Sequence, residues 1–333
     1  MFFYIDVQSD KNDDVGYIIL PLVPKTEENV VFPLVLNVIS RFWGEEIPNF
    51  EIEKRSVDYK NHKGTVFIEG LEIIEKKLNL TSIVYRGSLS DLKKRVNQGF
   101  PVIVVLPGIG DTVQFATIVC GYDEKENRII TYVTEPDSYG SIPEDIFEDE
   151  WSQDDFFSIL IFPKDMGDIL KNDTFEFEQS NRIYLEIERL KIRGKLKESI
   201  NLLKPMINND SSGLKSTDNP QILCLLAGIL NEQNDEKCIP LYERIIEINP
   251  KFYLAYRGLG NFYLKNKNYI LSKENYAKAI EINPNRFGPI YKNLGIVLLE
   301  LGDQKSAKDY FEKYLKHIPH APDRENILQF INS

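Results

Sequence analysis

The stretch YRGLGNFYLKNKNYILSKENYAKAIEINP (256–284) is followed by one that matches it, YKNLGIVLLELGDQKSAKDYFEKYLKHIP (291–319). Tyr256 and Tyr291, Leu259 and Leu294, Gly260 and Gly295, Tyr276 and Phe311, and Pro284 and Pro319 correspond at a constant offset of 35. Each copy reads as a helical hairpin. Such a hairpin cannot bury its own apolar face, so copies must stack, and about three are needed for a continuous core. Small residues such as Gly260, Ala279 and Ala307 let one helix approach the next.

The repeat extends toward the N-terminus. LLAGILNEQNDEKCIPLYERIIEINP (225–250) is an earlier copy, with Leu226, Ala227, Cys238, Tyr242 and Pro250 in the matching places and one residue fewer in the turn. IYLEIERLKIRGKLKESINLLKPMI (183–207) is a degenerate first copy, marked by Gly194 and Ser199. NNDSSGLKSTDN (208–219) is a loop inserted after it, and ENILQFINS (325–333) is expected to be a capping helix. The period resembles that of the tetratricopeptide repeat, roughly 34 residues. The fold expected for residues 182–333 is therefore an all-α superhelix of about four hairpins with a C-terminal cap. In that family the first helix of each hairpin lines a concave groove. The resemblance implies that Asn231, Arg257, Asn261, Lys265, Lys292 and Glu300 face it. Arg257, Asn261 and Lys292 partly match the clamp with which such repeats grip a terminal carboxylate, while Cys224, Gly228 and Ile296 stand where it requires polar groups. The implied partner is a protein or peptide that is acidic or carboxylate-ended. The competing reading is ordinary solvated charge.

Ahead of the repeats, PKDMGDILKNDTFEFEQSN (163–181) is polar and carries Pro and Gly, so it reads as a linker over about 166–181. Residues 1–165 read as a different class. FFYIDV and its neighbours suggest a strand, and residues 45–65 suggest loops. FIEGLEIIEKKL (67–78) places Leu71, Ile74 and Leu78 at helical spacing. TSIVYRG (81–87) reads as a strand. SLSDLKKRVNQG (88–99) reads as a helix with Ser90 as N-cap and Gly99 as stop. FPVIVVLPG (100–108), VQFATIVCGYD (113–123) and RIITYVTEP (128–136) are β-rich. The order of helices and strands is an α+β pattern.

Within this region PLVPKTEENVVFPLVLNVISRFWG (21–44) has an apolar lead-in, a polar loop, a helix from about Val31 to Phe42, and Gly44 as a stop. It resembles the opening of papain-like peptidases that cleave double-glycine leader peptides, through Pro33, Leu36, Trp43 and Gly44. Further pieces follow in the family's order over roughly residues 15–163. They are Leu92 to Val105 with Gly99 and Pro101, Gly121-Tyr122-Asp123, Glu135-Pro136, and Phe147 with Trp151. The resemblance implies a papain-like α+β fold. A papain-like site needs an oxyanion donor, a thiolate nucleophile, an imidazole base and a group to orient it. By this resemblance the four positions hold Lys25, Val31, Gln114 and Glu135. A valine cannot attack, and an amide cannot shuttle a proton near neutral pH.

That conclusion survives a shifted alignment. The one cysteine in residues 1–170 is Cys120, inside an apolar run, and the one histidine is His62, in a polar loop. Cys120 reads as a small buried hydrophobe. Cys224 and Cys238 show no CxxC pattern with it, which argues against a disulfide framework and a zinc site. His317 and His320 sit three apart beside Pro319 with no nearby cysteine or acidic cluster, so no metal and no cofactor is expected.

Charge divides the chain. Residues 1–170 carry 16 Lys and Arg against 30 Asp and Glu, whereas residues 171–333 carry 24 against 21. An acidic front half argues against nucleic acid and anionic membrane as partners. Between Arg128 and Lys164 there is no Lys or Arg, and Glu144, Asp145, Glu148, Asp149, Glu150, Asp154 and Asp155 cluster around Phe147 and Trp151. This reads as a solvated acidic loop pinned by two aromatics, or as a docking surface for a basic partner. No apolar run approaches the ~20 residues needed to span a bilayer, and no secretory signal is visible, so a cytoplasmic protein is expected. The leading functional expectation is a pseudopeptidase joined to repeats, acting as a binding scaffold. The alternatives are an enzyme of another chemistry on the same fold, amide-bond-forming or acyl-transferring, and a peptidase completed by a partner.

Overall fold

The computed structural model describes residues 15–22, 31–45, 67–108, 114–132, 139–203, 218–286 and 288–332. The expected strand at 1–8, His62, and the family positions Lys25 and Glu135 lie outside them. By its contacts the chain divides into two units, the first comprising residues 1–106 and 115–203 and the second residues 107–114 and 204–333.

Among the described residues the first unit holds a seven-stranded sheet, β1 (Val15–Tyr17), β2 (Leu80–Arg86), β3 (Val102–Pro107), β4 (Gln114–Asp123), β5 (Arg128–Tyr132), β6 (Tyr139–Pro143) and β7 (Phe157–Pro163). The spatial order is β2-β7-β3-β4-β5-β6, with β1 paired to β4. The pairs β1–β4, β2–β7, β3–β7, β4–β5 and β5–β6 are antiparallel. β3 is buried along its whole length, as its unbroken apolar run VIVVLP requires of an inner strand. This is the α+β architecture expected.

Helices α1 (Val31–Phe42), α2 (Phe67–Lys77) and α3 (Leu89–Asn97) share the unit's core with the sheet. In α1, Val35 to Ser40 are all buried, the signature of a helix enclosed on nearly every side. Its exit is fixed by Gly44, at φ +76°, and by Trp43, whose indole N–H donates to the Ile161 carbonyl at 2.8 Å. Helix α3 begins two residues earlier than Ser90 suggests. Ser88 is the cap: its backbone is extended, and its hydroxyl accepts from the Asp91 N–H at 3.2 Å. Gly99, at φ +82°, ends the helix as expected.

The acidic stretch after β6 is a helix, α4 (Glu144–Ser152), rather than a loop. Phe147 and Trp151, four apart, fall on one face and are fully buried in the sheet unit's own core.

The segment expected as a linker is bound to the first unit. Asp173 pairs with Lys94 and Arg95. Phe175 packs edge-on against Tyr85 at 4.9 Å, and the Arg86 N–H donates to the Glu176 carbonyl at 2.9 Å. The first hairpin, α5 (Glu178–Ile192) and α6 (Leu196–Leu203), stays with this unit too. Leu185 joins the sheet core. Arg182 reaches Glu75 at 2.6 Å and Arg189 reaches Glu72 at 2.7 Å, both on α2. By contacts, residues 166–203 group with the sheet.

The second unit carries α7 (Pro220–Glu232), α8 (Cys238–Ile248), α9 (Tyr253–Lys265), α10 (Tyr269–Ile282), α11 (Pro289–Glu300), α12 (Gln304–His317) and α13 (Arg324–Asn332). Among the described residues they pair as three hairpins, followed by α13. Caps set the starts: Asn219, Asn268 and Asp303 accept from the N–H groups of Gln221, Leu271 and Ser306. The small residues act at close approaches. A Cβ on Gly260 would lie 2.6 Å from the Tyr276 ring, and one on Gly295 would lie 2.8 Å from the Phe311 ring. Both pairs sit at the offset of 35, so one packing joint is used twice.

Candidate functional site

The peptidase-like positions come first. Val31 opens α1, and Gln114 opens β4 and is half-buried. Cys120 is fully buried in β4, with its sulfur 3.6 Å from the Ile130 carbonyl. Burial pushes its thiol up to about 12, so it stays protonated at neutral pH and cannot serve as a thiolate. Cys238, also buried, is pushed up to about 11. Among the described residues, no group of three or more metal-binding side chains could hold an ion.

The acidic helix has its charges partly spent. Glu144 pairs with Lys93 at 2.6 Å, and Asp155 with Arg86 at 3.3 Å. Asp154 and Asp155 are buried. Burial raises the Glu150 carboxyl, helped by Asp149. Phe147 and Trp151 both fill the unit's own core and so anchor the helix to it. What α4 exposes is Asp145, Ile146 and Glu148.

In the second unit five of the six expected groove residues separate into two groups. Asn231 lies next to the last residue of α7 and is buried. Its amide donates to the Gly258 carbonyl at 2.8 Å. Lys265, near the end of α9, donates to the Asn231 carbonyl at 2.9 Å and to its side-chain oxygen at 3.0 Å. These two residues fasten α7 to α9 and satisfy each other.

Arg257, Asn261 and Lys292 form the other group. Asn261 Oδ1 accepts from the Tyr276 hydroxyl at 2.7 Å and from Asn293 Nδ2 at 3.4 Å. Asn293 also donates to the Tyr276 hydroxyl at 3.2 Å. This triangle joins α9, α10 and α11. Arg257 is half-buried on α9, one turn before Asn261. Burial pushes the Tyr253 hydroxyl up to about 12, and the Arg257 and Arg286 guanidinium charges oppose that shift. Lys292 lies on α11 beside Asn293 and pairs with Asp323, just before α13. Glu300, at the end of α11, is exposed and bonds to Tyr269.

Three participants escaped the sequence reading. Asn293 lies next to Lys292 and differs from it by one step of register. Tyr276 was assigned to packing, which hides the role of its hydroxyl. Asp323 belongs to the cap rather than to a repeat, so the period carried no signal for it.

Residues 251–318 match the family described as tetratricopeptide repeat. Over 98 residues the chain is 32% identical to anaphase-promoting complex subunit 3 of Schizosaccharomyces pombe. Over 90 residues it is 34% identical to protein O-mannosyl-transferase TMTC3 of Homo sapiens. These matches cover 28% and 27% of this chain, but span only 14% and 10% of those proteins' own lengths. Among solved structures, MamA from AMB-1 aligns at 19% identity with a TM-score of 0.38, covering 46% of this chain and 79% of that one. YrrB, described as a TPR protein with an unusual peptide-binding site, aligns at 15% identity with a TM-score of 0.37, covering 44% and 73%. The helix pairs α9–α10 and α11–α12, which occupy the matched residues, are tetratricopeptide repeats.

Proposed function

We propose that this protein is a non-catalytic scaffold whose repeat array holds a protein or peptide segment rich in carboxylates. The observation that supports the reading is the Asn261–Tyr276–Asn293 triangle joining α9, α10 and α11, with Arg257 one turn before Asn261 on α9 and Lys292 next to Asn293 on α11. The carbonyl oxygen of Asn261 is taken by Tyr276 and Asn293, which leaves amide N–H groups for a ligand. A guanidinium and an ammonium stand on the same helices. Of those five residues, Arg257, Asn261 and Lys292 make the proposed site, and Asn231 and Lys265 support it from the neighbouring joint. Charge-assisted hydrogen bonds are worth about 1.5–3 kcal/mol when partly desolvated, and exposed ion pairs about 0–1 kcal/mol. The groups are half-buried, so affinity should be modest and sensitive to salt.

The test uses the full chain and fluorescein-labelled hexaglutamate with a free C-terminal carboxylate. Fluorescence anisotropy should report binding that weakens between roughly 0.05 and 0.5 M salt. Arg257→Gln combined with Lys292→Gln should weaken it by about tenfold or more. Binding indifferent to both salt and the double substitution would rule the reading out.

For the first unit the proposal is a degenerate papain-like domain without peptidase chemistry. Its support is the set Lys25, Val31, Gln114 and Glu135 at the family's catalytic positions, together with the buried, protonated Cys120 thiol. Incubation with a double-glycine leader peptide should give no hydrolysis. Turnover that iodoacetamide abolishes would sink this part of the proposal.

A further inference from the structure

We propose that Asp323 occupies Lys292 as a built-in competitor, so that the C-terminal segment of the chain regulates the carboxylate site of the repeat array. The inference rests on the groove reading above and adds its regulation.

Lys292 is the ammonium of that site nearest the C-terminal end of the array. Its Nζ is in contact with the Asp323 carboxylate, and it also lies over the Tyr314 ring at 5.9 Å. The Tyr314 hydroxyl donates to Asp323 Oδ1 at 3.1 Å. The carboxylate thus receives one charged and one neutral donor, the pair of contacts a ligand carboxylate would seek. Burial works to raise the Asp323 carboxyl, yet Lys292 and Tyr314 outweigh it and hold it below the ordinary carboxylate range.

The contact is reversible by its surroundings. The side chains of Lys292 and Asp323 remain 37% and 24% exposed, so water and solutes reach both. Residues 319–326 border an open depression of about 840 Å³. The segment between α12 and α13 carries Pro319 and Pro322, and its ends are fixed separately. Ala321 and Ile327 are buried, and Phe330 meets Phe311 edge-on at 5.6 Å. The Asp323 side chain can therefore leave Lys292 toward the depression while α13 keeps its apolar contacts.

An intrachain carboxylate competes at the effective concentration its tether sets, on the order of millimolar or above. The apparent affinity for an external carboxylate falls by the fraction of sites left open. If Asp323 is seated about nine times in ten, removing its charge should tighten binding about tenfold.

The experiment compares the full-length wild type with Asp323→Asn, using fluorescein-labelled hexaglutamate at low salt. The amide keeps an oxygen for Tyr314, and the Asp323 carbonyl that accepts from the Ile327 N–H is unchanged. Asp323→Ser is a second variant that removes the charge, with the same expectation should the first fold poorly by circular dichroism. Both should bind about tenfold more tightly than wild type. Lys292→Gln, alone or with Asp323→Asn, should remove the gain. Equal binding by wild type and the Asp323 variants would overturn this inference and leave the groove reading standing. No binding by any of them would overturn both.

Discussion

Asp173 accepts from Lys94 and Arg95, and the two cations hold its carboxyl below the ordinary value of 3.8. A lowered folded-state value means that the unfolded chain binds the proton more tightly. The stabilisation is therefore fully present above the unfolded value and is lost as pH falls through the folded one. Thermal melts of the wild type should be flat in this contribution at neutral pH and should steepen downward below about pH 4. Asp173→Asn should cost about 1 kcal/mol at neutral pH, since Arg95 keeps Asp91 at 2.8 Å. It should also lack that acid limb. Melts of the two proteins that stay parallel from neutral to acid pH would refute the assignment. The register of the resembled repeat family put Arg257, Asn261 and Lys292 among the site candidates, because in that family the first helix of each hairpin lines the groove. What register could not supply was reach. Lys265 has a side chain long enough to turn back to Asn231 on the preceding hairpin, and that choice depends on a neighbour distant in sequence.

The helices and their ends show where local chemistry decided. Gly44 and Gly99 were legible as stops because each sits in the left-handed region. The turns inside the hairpins need the same conformation at equivalent positions, occupied by Gly194, Asn234, Lys267 and Gly302. Glycine adopts it freely and asparagine tolerates it, but a lysine bears a cost of roughly 1–2 kcal/mol there. Lys267 is exposed. Lys267→Gly should raise stability by about 0.5–1 kcal/mol after the added freedom of the unfolded chain is counted. Urea unfolding checks it, and a loss of stability would show that the lysine side chain does something the turn geometry does not reveal. Helix α4 was harder to read. Pro143 precedes it without a capping side chain, and its acids suggested a solvated loop. The signal available was the four-residue spacing of Phe147 and Trp151, which is a helical period.

For the molecule as a whole, polarity misled where contact decides. Residues 166–181 look like a spacer by composition, yet Asp173, Phe175 and Glu176 each have a partner on the sheet unit. Leu185, Arg182 and Arg189 bind the first hairpin to it as well. A fragment of residues 1–203 should therefore unfold cooperatively. One of residues 1–181 should be less stable, having lost the ion pairs to Glu72 and Glu75 and the burial of Leu185, the last alone worth about 1.5–3 kcal/mol. Circular dichroism melts of the two fragments decide this, and equal midpoints would restore the earlier boundary. Short β-rich apolar runs made the sheet legible, whereas the partners of a polar strap depend on where distant residues come to lie. The antiparallel bridge between Arg86 and Glu176 has one more consequence. β2 ends the sheet's strand order, and an open edge is a template on which other chains can add strands. With Glu176 seated there, part of that template is already taken. Proteolytic nicking of the strap would thus do more than loosen a connection, because it would uncover a surface from which aggregation can start.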